Sequence, residues 1–238
     1  NNGTCRVDDW NASERNPNML QDLFFMADTV ALPAGKTPQQ YVRALEPFYP
    51  KFEWSRFMRT MEQFEVDPQW KFNQMSYGQQ KKSLIAATLS LGTRYVLLDE
   101  PTNGLDIPSK AQFRRLLTES IDGEKTIIIS THQVKDVENL IDPIVILTRN
   151  DVLLNASVEE ITKRLKFEYG TVGNPASLYS ELQPGGFLNV MQNLDGSASQ
   201  ISVEALFNAV HRNPQLIKQL FAQPITSVYN QDNKEYNE

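Results

Sequence analysis

Two short apolar runs in the middle of the chain end on polar residues. Residues 95–98 lead directly into Asp99 and Glu100, and residues 126–130 lead into Thr131 and His132. Continuous apolar runs of this length are typical of strands in a parallel sheet that is covered on both faces. The carboxyl edge of such a sheet holds side chains rigidly, and adjacent acids there suit magnesium–nucleotide chemistry. The pattern therefore predicts a site at this edge.

Between residues 37 and 92 the apolar spacing is helical instead. Three predicted helices carry their apolar faces on Tyr41, Val42, Leu45 and Phe48, on Phe57, Met58, Met61 and Phe64, and on Leu84, Ile85, Ala87 and Leu91. The third helix is expected to begin after Ser76 and to end at Gly92. Lys81 and Lys82 are expected on its solvated side.

The remaining pattern predicts a change of character after residue 165. Residues 23–26 form a further buried strand in the first part, and residues 144–147 and 152–154 form a hairpin. Beyond residue 165 we expect a strand over 166–169, a helix over 177–182, a strand over 187–191 and a helix over 202–210. We therefore divide the chain into a main domain, 1–165, and a small α+β appendage, 166–238, whose polar end after Asn230 is expected to be disordered.

Gly35, Lys36 and Thr37 resemble part of a phosphate-binding loop. The full pattern requires a glycine five positions before Gly35, and that position is Val30. Pro38 follows Thr37 in the way that the first residue of a helix follows its N-cap. The segment is therefore predicted to be a turn and a helix cap.

Composition narrows the classes of function. The net charge of −6 argues against general nucleic-acid binding, which requires a basic surface. The single cysteine, Cys5, excludes an internal disulfide framework and fits a reducing compartment. No apolar run reaches the roughly 18 residues of a membrane span, so a partner is expected to supply any membrane contact.

Four segments together resemble the motifs of ABC-type ATPases. Residues 75–80 are similar to the signature motif, with Tyr77 where that family often has glycine, and residues 95–101 resemble its Walker B strand. Residues 102–106 resemble the D-loop, and His132 resembles the switch histidine. The likeness extends over about residues 3–165. It implies an α/β fold of the P-loop NTPase type, with a parallel sheet and a helical subdomain at about 37–92.

The resemblance assigns chemistry to the acids and the histidine. Asp99 would hold Mg²⁺, since hard cations prefer carboxylate oxygen. Glu100 would polarise the water that attacks the γ-phosphate of ATP, and His132 would contact that phosphate. Asp28 aligns near the glutamine of the family's Q-loop, so its carboxylate is a candidate further ligand for Mg²⁺.

The resemblance also implies partners. Ser76, Gly78 and Gln79 would bind ATP held by a second ATPase subunit, identical or different, in a head-to-tail dimer with Asp106 at the interface. A transmembrane permease subunit would hold the dimer at the cytoplasmic face of the membrane. No nucleic-acid partner is expected.

One motif of the family, the Walker A phosphate loop, has no counterpart in the sequence. We expect the chain to be part of a longer subunit, because loss of a central strand and helix would expose apolar faces of the sheet. A degenerate subunit that lends its signature motif to an intact partner is the alternative. Two other functions stay open: a non-hydrolysing regulatory or interaction protein, and an ABC-type ATPase unconnected with transport.

Overall fold

The computed structural model describes residues 3–29, 31–121 and 123–222. These residues form two compact units, which divide between Asp136 and Val137. None of the described helices is both long enough and apolar enough to cross a membrane. The domain boundary expected after residue 165 stays a prediction.

The first unit is built around three parallel strands. A small hairpin of β1 (Arg6–Val7) and β2 (Trp10–Asn11) and a short helix, α1 (Pro17–Leu20), come first in the chain. The other elements are β3 (Leu23–Met26), α2 (Pro38–Leu45), α3 (Trp54–Gln63), α4 (Tyr77–Ser90), β4 (Tyr95–Asp99), α5 (Ile107–Ser120) and β5 (Thr126–Ser130). The sheet order is β3–β4–β5, with both pairings parallel, as the sequence predicted.

The two faces of this sheet differ in burial. Met26 and Leu98, which are paired in register, are buried on one face together with Val96. On the other face Phe25 is 54% exposed and Ile128 is 57% exposed. The prediction of strands at β3 and β5 is therefore correct. The prediction that they are buried is wrong for the face that carries Phe25 and Ile128. Successive side chains of a strand point to opposite faces, so a strand can be buried on one face and exposed on the other.

Thr37 caps α2 as predicted. Its hydroxyl accepts a hydrogen bond from the backbone N–H of Gln40, whose side chain in turn accepts one from the N–H of Thr37. Pro38 is the first helical residue, and the N–H of Lys36 donates to the carbonyl of Pro33 in the preceding turn. The 35–37 segment is thus a turn and a cap, because these reciprocal bonds satisfy the first-turn amides.

Helices α3 and α4 pack against each other and form the helical core. Phe57, Met61 and Phe64 are buried there as expected, whereas Met58 and Phe48 are exposed, contrary to the predicted apolar faces. The predicted buried residues of α4 are buried: Leu84, Ile85, Ala87 and Leu91. The helix begins after a capping box at Ser76 and is followed by Gly92 with φ of +69°.

The second unit contains a hairpin, a three-stranded antiparallel sheet and three helices. Its elements are β6 (Ile144–Leu147), β7 (Val152–Ala156), α6 (Val158–Arg164), β8 (Leu165–Gly170), β9 (Tyr179–Gln183), β10 (Gly186–Gln192), α7 (Val203–Arg212) and α8 (Pro214–Ala222). The sheet order is β8–β10–β9. The predicted hairpin, the strands near 166–169 and 187–191 and the helix near 202–210 are confirmed. The tail after Asn230 lies outside the described residues.

The helix predicted over 177–182 is wrong. This stretch forms β9, whose residues pair with β10 from Gly186↔Gln183 to Val190↔Tyr179. Gly185 and Gly186 both have positive φ, at +95° and +153°, and allow the tight connection between the two strands. Pairing with a partner strand therefore overrides the weak local preference.

Gly92, which follows α4, provides a test of the packing in the helical segment. A Cβ atom there would lie 2.3 Å from the backbone oxygen of Lys51, and φ is positive. Gly92→Ala should lower the free energy of unfolding by about 1–3 kcal/mol, measured by urea denaturation.

Gly35→Ala is the matched control. A Cβ atom added at Gly35 would have no heavy atom within 4 Å, and the φ of Gly35 lies outside the left-handed region. The free energy of unfolding of this variant should stay within about 0.5 kcal/mol of the parent value. Equal losses in the two variants would contradict the packing described for Gly92.

Candidate functional site

Glu100 lies at the turn that leaves β4. Its φ is +45°, a left-handed conformation that costs a non-glycine residue about 1–3 kcal/mol. Its backbone N–H donates to the carbonyl of Ser130, at the end of β5, over 2.8 Å. The surroundings therefore hold Glu100 in an unfavourable conformation that brings its side chain to the neighbouring strand end.

Three contacts fix the carboxylate of Glu100. The Thr131 hydroxyl donates to Oε2 over 2.8 Å, and the backbone N–H of His132 donates to Oε1 over 2.9 Å. The ring atom Nδ1 of His132 lies 2.6 Å from the same Oε1. The Glu100 side chain is 18% exposed and the His132 side chain 76% exposed. A shielded carboxylate thus holds an imidazole whose remaining edge faces outward.

Hydrogen bonds lower the pKa of Glu100. Partial burial acts to raise its pKa, but the hydrogen bonds from His132 and Thr131 outweigh burial, so the pKa lies below its ordinary value. A carboxylate with a lowered pKa abstracts a proton weakly, although it still accepts hydrogen bonds. The geometry suits a group that orients a water molecule.

Asp99 is the last residue of β4 and pairs in register with Ser130. Over the described residues, no three His, Cys, Asp or Glu side chains gather closely enough to hold a metal ion by themselves. Mg²⁺ commonly binds through one or two carboxylates while water and substrate phosphates supply its other ligands. Asp99 at the sheet edge is compatible with that donor set.

The predicted binding residues Ser76, Gly78 and Gln79 lie at the N-terminus of α4, where Ser76 and Gln79 form the cap. The Ser76 hydroxyl accepts from the N–H of Gln79 over 3.3 Å, and the Gln79 side chain accepts from the N–H of Ser76 over 2.9 Å. The amides of Tyr77 and Gly78, at the first two helical positions, have no acceptor within the helix because of helix geometry. Together with the helix dipole they can bind an anion.

Asp106 has the corresponding role at α5. Its side chain accepts a hydrogen bond from the backbone N–H of Ser109 over 2.9 Å. Interactions with the Ser109 hydroxyl and, second, with this N–H lower the pKa of Asp106. The residue is exposed, so the cap leaves it accessible. Its expected place at a dimer interface stays a prediction.

The expectation that Lys81 faces solvent is wrong. Its side chain is 1% exposed, and Nζ lies 3.0 Å from the backbone oxygen of Asp28 and 3.3 Å from Asp28 Oδ1. A signal for this burial was present in the sequence, since Lys81 lies three, four and seven positions before Leu84, Ile85 and Thr88, on one stripe of α4. Lys82, by contrast, is half-buried.

Asp28 accepts hydrogen bonds from groups other than those that donate to the Glu100 carboxylate. Its Oδ1 also accepts from the Asn103 side chain over 3.1 Å. The pKa of Asp28 lies below its ordinary value, chiefly because of the Asn103 hydrogen bond and, against the effect of burial, because of Lys81. A metal-ligating role for Asp28 stays a prediction, and a cation there would compete with Lys81 and Asn103.

The chain is similar to known proteins in sequence and in structure. A family profile described as an AAA domain, and further as a candidate AbiEii toxin of a type IV toxin–antitoxin system, matches residues 34–135, less than half of the chain. ABC transporter ATP-binding protein YtrB of Bacillus subtilis is 25% identical over 157 residues, which are 66% of this chain and 52% of YtrB.

Two further similarities are to ATP-binding proteins of transporters. Energy-coupling factor transporter ATP-binding protein EcfA2 of Staphylococcus saprophyticus is 37% identical over 95 residues, 40% of this chain and 31% of EcfA2. The solved structure of an ATP-binding subunit of an ABC transporter superposes with a TM-score of 0.59, at 18% identity, over 66% of this chain and 68% of that one. Together these similarities support an ABC-type ATPase domain in this chain.

The parallel sheet β3–β4–β5 is consistent with the P-loop NTPase fold, as the motifs implied. The chain spans about half the length of YtrB and less of EcfA2. Within the domain, the structure brings Glu100 and His132 into contact and places Ser76, Gly78 and Gln79 at one helix N-terminus. The motifs alone did not show that Thr131 donates a hydrogen bond to Glu100, or that Lys81 and Asn103 donate hydrogen bonds to Asp28.

Removal of the Thr131 hydroxyl should raise the pKa of Glu100. Thr131→Val removes one donor to the ionised carboxylate, so its pKa moves back toward the ordinary value, which carbon-13 NMR titration of the carboxyl measures. A lowered pKa stabilises the fold above the unfolded value, and this stabilisation is lost as pH falls through the folded value. The variant should therefore have a smaller acid-dependent loss of stability.

Thr118→Val is the control for this titration. The Thr118 hydroxyl donates to the carbonyl of Arg114 within α5, away from Glu100. The pKa of Glu100 should be unchanged in this variant. A parent-like pKa in Thr131→Val would show that the hydroxyl contact does not act on Glu100.

Proposed function

We propose that the chain binds and hydrolyses ATP as the ATP-binding subunit of an ABC transporter. The observation that carries the proposal is the Glu100 carboxylate held by Thr131 and His132 beside Asp99. The names of YtrB and EcfA2, both ATP-binding proteins of transporters, support the same function. Because the matched relatives are longer, the activity of the whole protein belongs to the proposal.

The proposed chemistry assigns separate tasks to the residues at the sheet edge. Asp99 would hold Mg²⁺, which when bound neutralises charge on the phosphates. Glu100 orients the attacking water through a carboxylate that hydrogen bonds already fix. With Nδ1 of His132 beside Glu100, Nε2 is the ring nitrogen that can donate to the γ-phosphate when it carries a proton.

A second subunit is part of the proposal. The N-terminus of α4, with Ser76 and the amides of Tyr77 and Gly78, would bind the ATP held by that subunit, since helix N-termini favour anions. Gln79 would act there through the cap that it forms with Ser76. Asp106 would lie at the same head-to-tail interface, in a homodimer or a heterodimer.

A transmembrane permease subunit would be the other partner. The helical segment 37–74 would contact it, and exposed Phe48, Met58 and Trp70 give this segment apolar surface groups. In this arrangement the protein is cytoplasmic and peripheral to the membrane. Co-purification with a permease encoded for the same transporter would support this part of the proposal.

The hydrolysis is tested with Glu100→Gln in the full-length protein. Loss of the water-orienting carboxylate should lower the rate of phosphate release by about 100-fold or more while ATP binding is kept. The control is Glu119→Gln, since Glu119 is an exposed partner of Arg115 on α5. Equal turnover of Glu100→Gln and the parent would disprove the assignment.

The dimer is tested with the same variant. Because Glu100→Gln would bind ATP without hydrolysing it, light scattering should show a dimer that forms only with ATP. Ser76→Arg, which replaces the cap of α4 by a bulky side chain, should abolish the dimer in the Glu100→Gln background. A monomer at saturating ATP in Glu100→Gln itself would contradict the head-to-tail arrangement.

A further inference from the structure

Lys81 is a buried cation that the proposed reaction does not use. A buried ammonium group is unfavourable unless charged or polar partners surround it. Asp28 supplies two acceptors for this group, its backbone oxygen at 3.0 Å and its Oδ1 at 3.3 Å. The interaction therefore joins α4 to the segment that follows β3.

Asp28 extends this connection to a third segment. Its Oδ1 accepts from the Asn103 side chain, and its backbone oxygen accepts from the Tyr77 hydroxyl over 3.4 Å. Asn103 belongs to the turn that follows Glu100, and its N–H donates to the carbonyl of Glu100 over 3.2 Å. Asp28 thus contacts both the N-terminal half of α4 and the turn beside Glu100.

The turn is also held from a second side. The Tyr77 ring packs against Gly104 so closely that a Cβ atom on Gly104 would lie 2.3 Å from Tyr77 Cε1. A Cβ atom on Gly78 would lie 3.1 Å from the oxygen of Gly104. Gly104 has φ of +77°, so it is suited to this position both by its conformation and by its lack of a side chain.

We propose that Lys81 and Tyr77 are positioning residues. Through Asp28, Asn103 and Gly104 they fix the turn at 101–106 against the N-terminus of α4. The turn follows Glu100 and the helix begins after Ser76, so the contacts hold two halves of the candidate site in one geometry. The coupling between the turn and the N-terminus of α4 is a property of the folded chain. Only its effect on ATP binding and hydrolysis rests on the proposed function.

The coupling predicts a local change in backbone protection. The N–H of Leu105 donates to the carbonyl of Thr102 over 3.1 Å inside the turn, so its hydrogen exchange reports opening of the turn. Without nucleotide, Lys81→Met and Asn103→Ala should each speed this exchange by about tenfold or more, measured by NMR. The double variant should exchange no faster than the faster single variant, because both act through Asp28.

Lys82→Met is the matched control on the same helix. Lys82 donates to the carbonyl of Phe64 and does not contact Asp28 in the structure. This variant should change the Leu105 rate by less than about twofold. The N–H of Val66, which donates to Met61 at the end of α3, should keep its rate in every variant.

Three results would overturn the proposal: an unchanged Leu105 rate in the variants, a double variant whose effect is the product of the two single effects, or an equal acceleration at Val66. The last would show that Lys81 supports the whole fold rather than the turn. If Lys81→Met does not fold, the same measurement on Asn103→Ala and Tyr77→Phe, at partly exposed positions, decides the question. Tyr77→Phe should speed Leu105 exchange because it removes the hydroxyl contact to Asp28. Absence of ATP hydrolysis would disprove the proposed function and leave this exchange test unaffected.

Discussion

The parallel pairing of β4 with β5 is the interaction on which the candidate site depends. It sets Asp99 opposite Ser130, so the residues after each strand leave the sheet side by side. Glu100 then receives the Thr131 hydroxyl and the His132 amide as donors. Groups more than 30 positions apart in sequence thereby fix one carboxylate, and their hydrogen bonds offset the strain of its positive φ.

Helix caps form the second part of the site. Ser76 and Asp106 each satisfy an amide in the first turn of a helix, and both are positions where the family resemblance implies ligand or interface contacts. The two roles are compatible, because a capped N-terminus retains its other amides and its dipole for an anion. Local stability and binding chemistry therefore use the same short segments.

The buried Lys81 connects these two parts. Its ammonium group pairs with Asp28, and the hydrogen bonds from Asn103 and Lys81 hold the pKa of Asp28 below its ordinary value. Tyr77, which replaces the glycine common in the signature motif of the family, adds a ring against Gly104. The ring of Tyr77 thus occupies space that is available because Gly104 has no side chain.

The sequence by itself determined features that depend on neighbouring residues: the strands at 95–99 and 126–130, the caps at Thr37 and Ser76, and the glycine after α4. Each follows from side chains within a few positions. The tertiary structure alone decided the pairing of Lys81 with Asp28, the pairing of 179–183 as a strand and the exposure of Phe25 and Ile128. These depend on which segments meet, and Asp28 lies 53 positions from Lys81. Local patterns cannot specify such contacts, because packing and strand pairing between distant segments determine them.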